Sequence, residues 1–568
     1  MKSIKIKNLL LAGTSCMLLA TSCNVDPTFY SQVVPETYYT NSDAVWSRFN
    51  RPFTHWRWWE AQNDARVRCM ELGTDAMCVP TRGNDWFDGA VYQNIHHHQF
   101  ADDISTFKDG WDLTTMGVAQ AWSAKEDLEA VDFESVGLTE EDRTSMLNQL
   151  NVLAACFYLD ALDMFGGMPL YTSTQEDVKG RSTDLETFNF IDSLLDTAIP
   201  NLPVKTVLGE QETNIIHQAV AACLKMRLYF NAESYIGQPM YEEAAQICQD
   251  IIDGKYGQYA MADDYRDVFG WGNETCPEII WTVPSENATG ETDGGLTAFT
   301  CPYNFYQYLG GLQDAGGNNG LCLTPSRDPA GNLYQFNLGN PYETFNDQDV
   351  RKQLYVYEGG QKYRGMFIVG ELQNPDFPDY KCMGGREYTG QVLNVVDQIA
   401  PLSQLGINYD CYEDMPSNIA VAEENSGVRV LKISPLPNQS EYSQRFNPDC
   451  PVIRLAEVYY TLAECKMRLG DKQGAADIIN SIRKRYFEGG NDPDPVTVAN
   501  LDKYRILKEW LQEFLREGRR RTDLIRWDAY VTEDWWDHTA TNNENYNRYP
   551  INYQTLSANP LLEQNPGY

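Results

Sequence analysis

RLAEVYYTLAECKMRLGDKQGAADIINSIRKR, residues 454–485, is the stretch on which the fold turns. Ala456, Tyr459, Tyr460 and Ala463 recur at three- and four-residue steps, the period of one helix face. Gly470-Asp471 forms a turn, and Ala475, Ala476 and Ile479 place a second helix after it. Small residues let two helices approach closely, while bulky ones fill the groove between successive pairs.

Helix, short turn, helix at this spacing resembles a tetratricopeptide pair. The same grammar runs through an earlier block. Leu150, Leu153, Ala154, Phe157, Tyr158, Ala161 and Phe165 share a face before Gly166-Gly167, and Phe188, Ile191, Leu194, Leu195 and Ala198 share another before Pro200. A third helix is expected over about 214–235 and a fourth over 241–254, ending at Gly254. Past the decisive pair, LDKYRILKEWLQEFLREG carries Ile506, Leu507, Leu511, Phe514 and Leu515 to an end at Gly518.

Residues 262–449 change character. Glycine, proline, asparagine and tyrosine crowd GGLTAFTCPYNFYQYLGGLQDAGGNNG, and no helical period survives. Long loops on a rigid scaffold usually carry function. The expected architecture is mainly α: a helical-repeat scaffold over 41–261 and 450–568, with a loop-rich insertion containing short strands over 262–449.

At the other end, Lys2, Lys5 and Lys7 precede LLLAGTSCMLLA and the small residues Thr21-Ser22 before Cys23. This reads as a secretory signal peptide over 1–22, with the Cys positioned as in a bacterial lipobox. Cleavage would leave Cys23 acylated, and several acyl chains on one residue anchor stably where one does not. Polar NVDPTFYSQVVPET then serves as a tether over 23–40. Removing 1–22 takes three lysines and no acid, leaving 42 basic residues against 80 acidic and a net charge of −38. That charge excludes nucleic acid as the default partner. The cysteines beyond Cys23 contain no C-x-x-C, which removes zinc-ribbon and thioredoxin-like readings. Cys156, Cys223, Cys248 and Cys465 sit at apolar helical positions, and disulfides among loop cysteines cannot be paired from sequence.

Taken in order, the lipobox, NVLAACFYLDALDMFGGMPL, RLAEVYYTLAEC, NSIRKR and ILKEWLQEFLREGRRRTDLIRW resemble a SusD/RagB outer-membrane lipoprotein of Bacteroidetes. TDAMCVPTRGNDWFDGAVYQ at 74–93 and FNDQDVR at 345–351 are similar to further family blocks, so the likeness spans nearly all of 23–568. It implies a SusD-like α-α superhelix. It further implies a lipid-anchored protein exposed on the outer membrane, which captures oligosaccharides as a lid over a SusC-like TonB-dependent transporter and does not cleave them.

The arginines 516, 519, 520, 521 and 526 stand out in so acidic a chain. Glu517, Gly518, Arg520, Asp523, Leu524, Arg526 and Trp527 match the family pattern. Gly518 suits a left-handed helix end, arginines beside the last carbonyls meet the negative end of the dipole, and Asp523 and Glu517 suit guanidinium forks. The cluster therefore reads as scaffold.

A sugar site needs an aromatic face for the ring and polar groups for its hydroxyls. TRGNDWFDGAVYQ offers Arg82, Asn84, Asp85, Trp86 and Asp88 on a glycine-turned backbone, with Trp86 the leading platform against the alternative of a ring buried to fix the loop. CPYNFYQYLGGLQDAGGNNG offers Tyr303, Asn304, Tyr306, Tyr308 and Asn319. WRWWE at 56–60 has helical spacing that favours packing, and Trp535 and Trp536 are undecided.

IHHHQF places three histidines side by side, which cannot all meet one metal in a regular element, so a structural role is expected for His96, His97 and His98. No G-x-S-x-G, P-loop or H-E-x-x-H is present. DPD at 492–494 and NDQD at 346–349 carry calcium-type oxygens, but neither completes an EF-hand loop; Ca²⁺ stays unassigned and no cofactor is expected. Three rivals to a glycan binder remain: a RagB-like peptide-binding lid, a secreted glycosidase with a helical-barrel catalytic domain and two carboxyls about 5–10 Å apart, and a purely structural repeat protein that bridges partners.

Overall fold

The computed structural model describes residues 38–62, 65–209, 216–285, 295–303, 317–354, 356–359, 362–374, 377–402, 415–433 and 448–568. Residues 1–37, which hold the expected signal peptide, Cys23 and almost all of the expected tether, lie outside them. The protein is mainly helical with short strands, as expected.

Ten helices carry the argument: α1 (Ser42–Arg57), α2 (Ser105–Glu129), α3 (Glu140–Phe165), α4 (Asp184–Ala198), α5 (Gln218–Phe230), α6 (Tyr241–Ile252), α7 (Leu455–Arg468), α8 (Lys472–Arg483), α9 (Lys503–Phe514) and α10 (Arg520–Arg526). Local chemistry sets their starts. Thr139 and Thr183 form capping boxes with Asp142 and Glu186, while the Asp471 and Asp502 side chains accept the first-turn amides of α8 and α9.

Packing then follows chain order: α2 on α3, α3 on α4, α5 on α6, α7 on α8. Where α2 crosses α3, a Cβ on Gly117 would stand 2.4 Å from the Phe157 ring, so only glycine lets the helices meet there. The insertion does not interrupt the stack. α7 lies directly against α6, although some 200 residues separate them, and buried Ala244, Ala456, Ala463, Ala475 and Ala476 line their shared core.

The insertion is anchored at its base by an antiparallel pair, β2 (Ile279–Val283) with β4 (Cys450–Arg454), the latter running straight into α7. Trp281 of β2 stacks on Trp56 of α1, ring centroids 4.0 Å apart, tying the strands to the first helix. A second pair, β1 (Met77–Cys78) with β3 (Cys322–Leu323), joins the loop after the first helices to the middle of the insertion.

Two helix ends differ from expectation. The helix over 214–235 breaks at Asn231, whose Nδ2 donates back to the Arg227 carbonyl at 2.9 Å; a short helix, Ala232–Ile236, follows, and 214 and 215 lie outside the described residues. α9 ends at Phe514 rather than Gly518, because its last-turn carbonyls are taken by distant cations. Arg454 and Lys432 donate to the Glu513 carbonyl at 2.8 and 2.9 Å, and Arg351 to that of Gln512 at 3.1 Å. Gly518 has the left-handed φ of +68°, and Arg516 reaches +65° before it.

The arginine cluster is scaffold in the described structure. Arg520 meets Asp75 with two bonds of 2.7 Å, Arg521 meets Asp163 at 3.0 Å, and Arg526 meets Glu464 at 2.8 and 3.0 Å. Asp523 pairs with Arg519 and Arg526 as expected, whereas Glu517 turns to Arg454 and Lys432. Burial pushes the Glu464 carboxyl up, but Arg526 outweighs it and brings the group down to about 2.

Candidate functional site

The loop after β1 is held in an uncommon backbone. Gly83, Trp86, Asp88, Gly89 and Ala90 all have left-handed φ, at 59°, 61°, 42°, 68° and 68°. For a bulky ring such as Trp86 this is a strained state of about 1–3 kcal/mol, which persists only where surroundings over-determine it. They do so here. The Arg82 and Asp85 backbones exchange hydrogen bonds of 3.0 and 2.9 Å, and the Trp86 indole N–H donates to the Asn318 carbonyl at 3.0 Å.

The support beneath is a buried polar frame. Arg82 donates to the Glu423 and Ser426 carbonyls at 2.6 and 2.8 Å. Asn319, itself left-handed at φ 54°, donates to the Glu424 carbonyl and accepts from Arg429. The Glu424 carboxylate takes the Gly385 and Arg386 amides at 2.8 and 3.0 Å, which fixes a third loop beside the first two.

What faces outward is an aromatic and polar rim. Trp86 is half-buried, one side against Phe299 (5.1 Å between centroids) and Tyr92. Gly320 lets this ring settle, since a Cβ there would stand 2.8 Å from the Trp86 ring and 2.5 Å from Phe299. Next to it Phe87 is 53% exposed. Asp85 accepts the Tyr303 hydroxyl at 2.6 Å and pairs with Arg386, whose guanidinium lies 4.8 Å over the Tyr303 ring. Burial and the Asp85 carboxylate hold the Tyr303 hydroxyl well above the usual phenol range, so it remains a donor.

The sequence-read residues therefore divide. Asp85, Trp86 and Tyr303 converge on one rim, and Asn84 and Asp88 are exposed on the same loop. Arg82 and Asn319 stand behind that rim: each is buried and hydrogen-bonded to backbone carbonyls inside the frame. Asn304, Tyr306 and Tyr308 lie outside the described residues. Phe87 and Arg386 were missed; the first stands inside the quoted TRGNDWFDGAVYQ, and the second follows Gly384-Gly385, a turn signal in an otherwise unpatterned stretch.

Other candidates recede. Trp56 and Trp59 of WRWWE are buried and only Trp58 is open to solvent; Trp535 and Trp536 are buried. His96 and His98 are buried and bonded to the Trp536 and Gly73 carbonyls, and His97 pairs with Asp537. A cleft of about 1070 Å³ between the insertion and the segment that follows α8 is lined by Asp263, Arg266, Asp347, Arg485 and Glu488, but its rings, Tyr265 and Phe487, are buried and offer no face. Among the described residues no helix is long and apolar enough to cross a membrane.

Comparison with known proteins bears on the family and the fold. A family profile described as the SusD family matches residues 277–568. The chain is 24% identical over 455 residues to the starch-binding protein SusD of Bacteroides thetaiotaomicron, covering 77% of this chain and 75% of that protein. It is 22% identical over 447 residues to SusD-like protein P25 of Formosa agariphila, covering 75% and 73%. Among solved structures it superposes on a laminarin-binding SusD-like protein with a TM-score of 0.64 at 18% identity, over 93% of this chain and 100% of that one. Surface glycan-binding protein A of Bacteroides uniformis superposes with a TM-score of 0.65 at 16% identity, over 92% and 99%.

Proposed function

The chain belongs to the SusD family, and we propose that it captures a glycan at the cell surface without cleaving it and delivers it to a SusC-like TonB-dependent transporter. The observation that carries this reading is the strained, locked Trp86 with Phe87 beside it and the Asp85–Tyr303–Arg386 group at its edge. An apolar sugar face stacks on a ring, and neighbouring hydroxyls need donors and acceptors in fixed positions. Asn84 and Asp88 extend the polar edge, and Cys23 supplies the lipid anchor.

A binder suits this arrangement better than a hydrolase. Asp85 is already engaged by the Tyr303 hydroxyl and the Arg386 guanidinium, whereas a hydrolase needs two carboxyls about 5–10 Å apart flanking a cleft. The relatives named starch-, laminarin- and glycan-binding support the same substrate class.

Isothermal titration of the mature protein against oligosaccharides and peptides tests the proposal. Heat with an oligosaccharide, lost in Trp86→Ala, is expected. Heat with peptides only would transfer the site to a RagB-like peptide lid, and reducing ends released from a polysaccharide would make the protein a glycosidase.

A further inference from the structure

Two thiols oppose each other at the base of the rim. In the antiparallel β1–β3 pair Cys78 stands directly across from Cys322, and their Sγ atoms are 3.9 Å apart with both side chains buried. Directly opposed residues of such a ladder have Cα atoms about 4.5–5.5 Å apart, inside the roughly 4.4–6.8 Å that a disulfide spans. Closing the bond requires the sulfurs to turn, without moving the strands. Gly427 keeps the room for that turn, since a Cβ there would stand 2.6 Å from the Cys322 sulfur.

The two sulfurs are not equivalent. Arg82 Nη2 donates to Cys322 Sγ at 3.3 Å, and Arg429 is close by in the same buried frame. Burial pushes the Cys322 thiol up, but the hydrogen bond from Cys78 and the two guanidiniums outweigh it and bring it down to about 6, while Cys78 is driven upward.

We propose that Cys78 and Cys322 are an oxidisable pair that closes to a cross-strand disulfide, stapling the Trp86 loop to the Asn319 turn. The oxidant is a disulfide-bearing thiol oxidant of the compartment in which the protein matures. One cysteine of the pair gives up its proton and its thiolate attacks one oxidant sulfur, and the other oxidant sulfur leaves as a thiolate that takes a proton. The second cysteine then gives up its proton and attacks the first cysteine's sulfur in the mixed disulfide, releasing the second oxidant thiolate, which is protonated in turn. Two protein thiols lose two electrons and two protons, and one oxidant disulfide becomes two thiols. Because both sulfurs are buried in the finished fold, the exchange belongs to the folding chain. The bond would join residues 244 apart in sequence. Cys78 leads into Asp85 and Trp86, and Cys322 follows the Asn318 carbonyl that holds the Trp86 indole, so the staple closes the platform's own frame.

The effect on ligand binding rests on the glycan reading; the bond itself does not. The mature chain is refolded in a mixture of oxidised and reduced glutathione, or in reductant alone, then quenched in acid, unfolded and alkylated without further reduction. Intact mass is expected to show two fewer alkyl groups on the oxidised sample. Its proteolytic map should contain one linked pair of peptides, carrying Cys78 and Cys322. Equal alkylation in both samples, or a bond between other cysteines, would overturn the proposal, and the map needs no variant that must fold. As a second readout, oxidation should raise the melting temperature of the wild type and leave that of Cys322→Ser unchanged; a rise of equal size in Cys322→Ser would also overturn it. A mapped Cys78–Cys322 bond in a protein that binds no glycan would sink the functional reading alone.

Discussion

The Tyr303 hydroxyl and the Asp85 carboxylate, 218 residues apart in the chain, are joined by a 2.6 Å hydrogen bond that fixes the edge of the aromatic rim. Hydrogen bonds to charged groups contribute about 1.5–3 kcal/mol. Tyr303→Phe keeps the ring under Arg386 and deletes the bond. Calorimetric titration with the best oligosaccharide is expected to give a Kd raised roughly 10-fold or more, with the melting temperature within a few degrees of wild type. An unchanged Kd would remove Tyr303 from the site.

Trp86 and Phe87 separate stacking from folding. Phe87 is more than half exposed, so Phe87→Ala should weaken binding with no loss of stability. Trp86→Ala removes a ring packed on Phe299 and Tyr92, and should abolish measurable binding while lowering stability by about 1–3 kcal/mol in urea titration. Full affinity in both variants would leave the rim without a function.

Arg526 and Glu464 form a fully buried pair. Breaking such a pair from one side strands the other charge and costs about 3–5 kcal/mol. Arg526→Ala is expected to lose at least that much in denaturant unfolding. Replacing both residues, as Arg526→Met with Glu464→Leu, should recover most of the loss. A single variant as stable as wild type would show the pair to be solvated.

Two sets of buried carboxyls pull stability in opposite directions with pH. Glu457 and Glu464 are brought from 4.5 to about 2: burial opposes ionisation, but Arg227 and Arg526 overcome it. Their contribution is complete above the ordinary value and lost as pH falls toward 2. Glu71 and Asp397 are pushed up to about 7 by burial, so theirs is complete below the ordinary carboxylate range and lost as pH rises toward 7. Each pH unit that one group traverses changes stability by at most about 1.4 kcal/mol. The melting temperature is expected to peak near pH 5 in scanning calorimetry; a steady climb from pH 3 to 7.5 would contradict these assignments.

Cys23→Ala tests the anchor. The variant is expected in the soluble fraction of cells, and retention in the membrane fraction at wild-type level would place the attachment elsewhere.

The helical hairpins were legible because their information is local: a period of alanines and large apolar residues, with Gly470 or a proline between. Asp523 as partner to Arg519 and Arg526 was legible for the same reason, being three or four residues away. The other partners of that cluster, Asp75, Asp163 and Glu464, were not, since nothing in the sequence says which acid a folded chain brings back. The surroundings of Arg82 were hidden for another reason. An arginine among glycines reads as exposed, and only the backbone carbonyls of Glu423 and Ser426 reveal that it is enclosed. Of the adjacent rings Trp86 and Phe87, which one turns outward depends on the left-handed φ of Trp86, a choice made by the frame and not by the residue.

Asp75 leaves the ribosome 445 residues ahead of Arg520, the guanidinium that neutralises it, and Glu71 waits as long for the amides of Gly518 and Arg519. Until those arrive, the leading third of the molecule carries charges it cannot enclose. Enclosing Asp75 and Glu71 therefore requires the last part of the chain. Clipping the final fifty residues would yield not a smaller protein but an unfinished one.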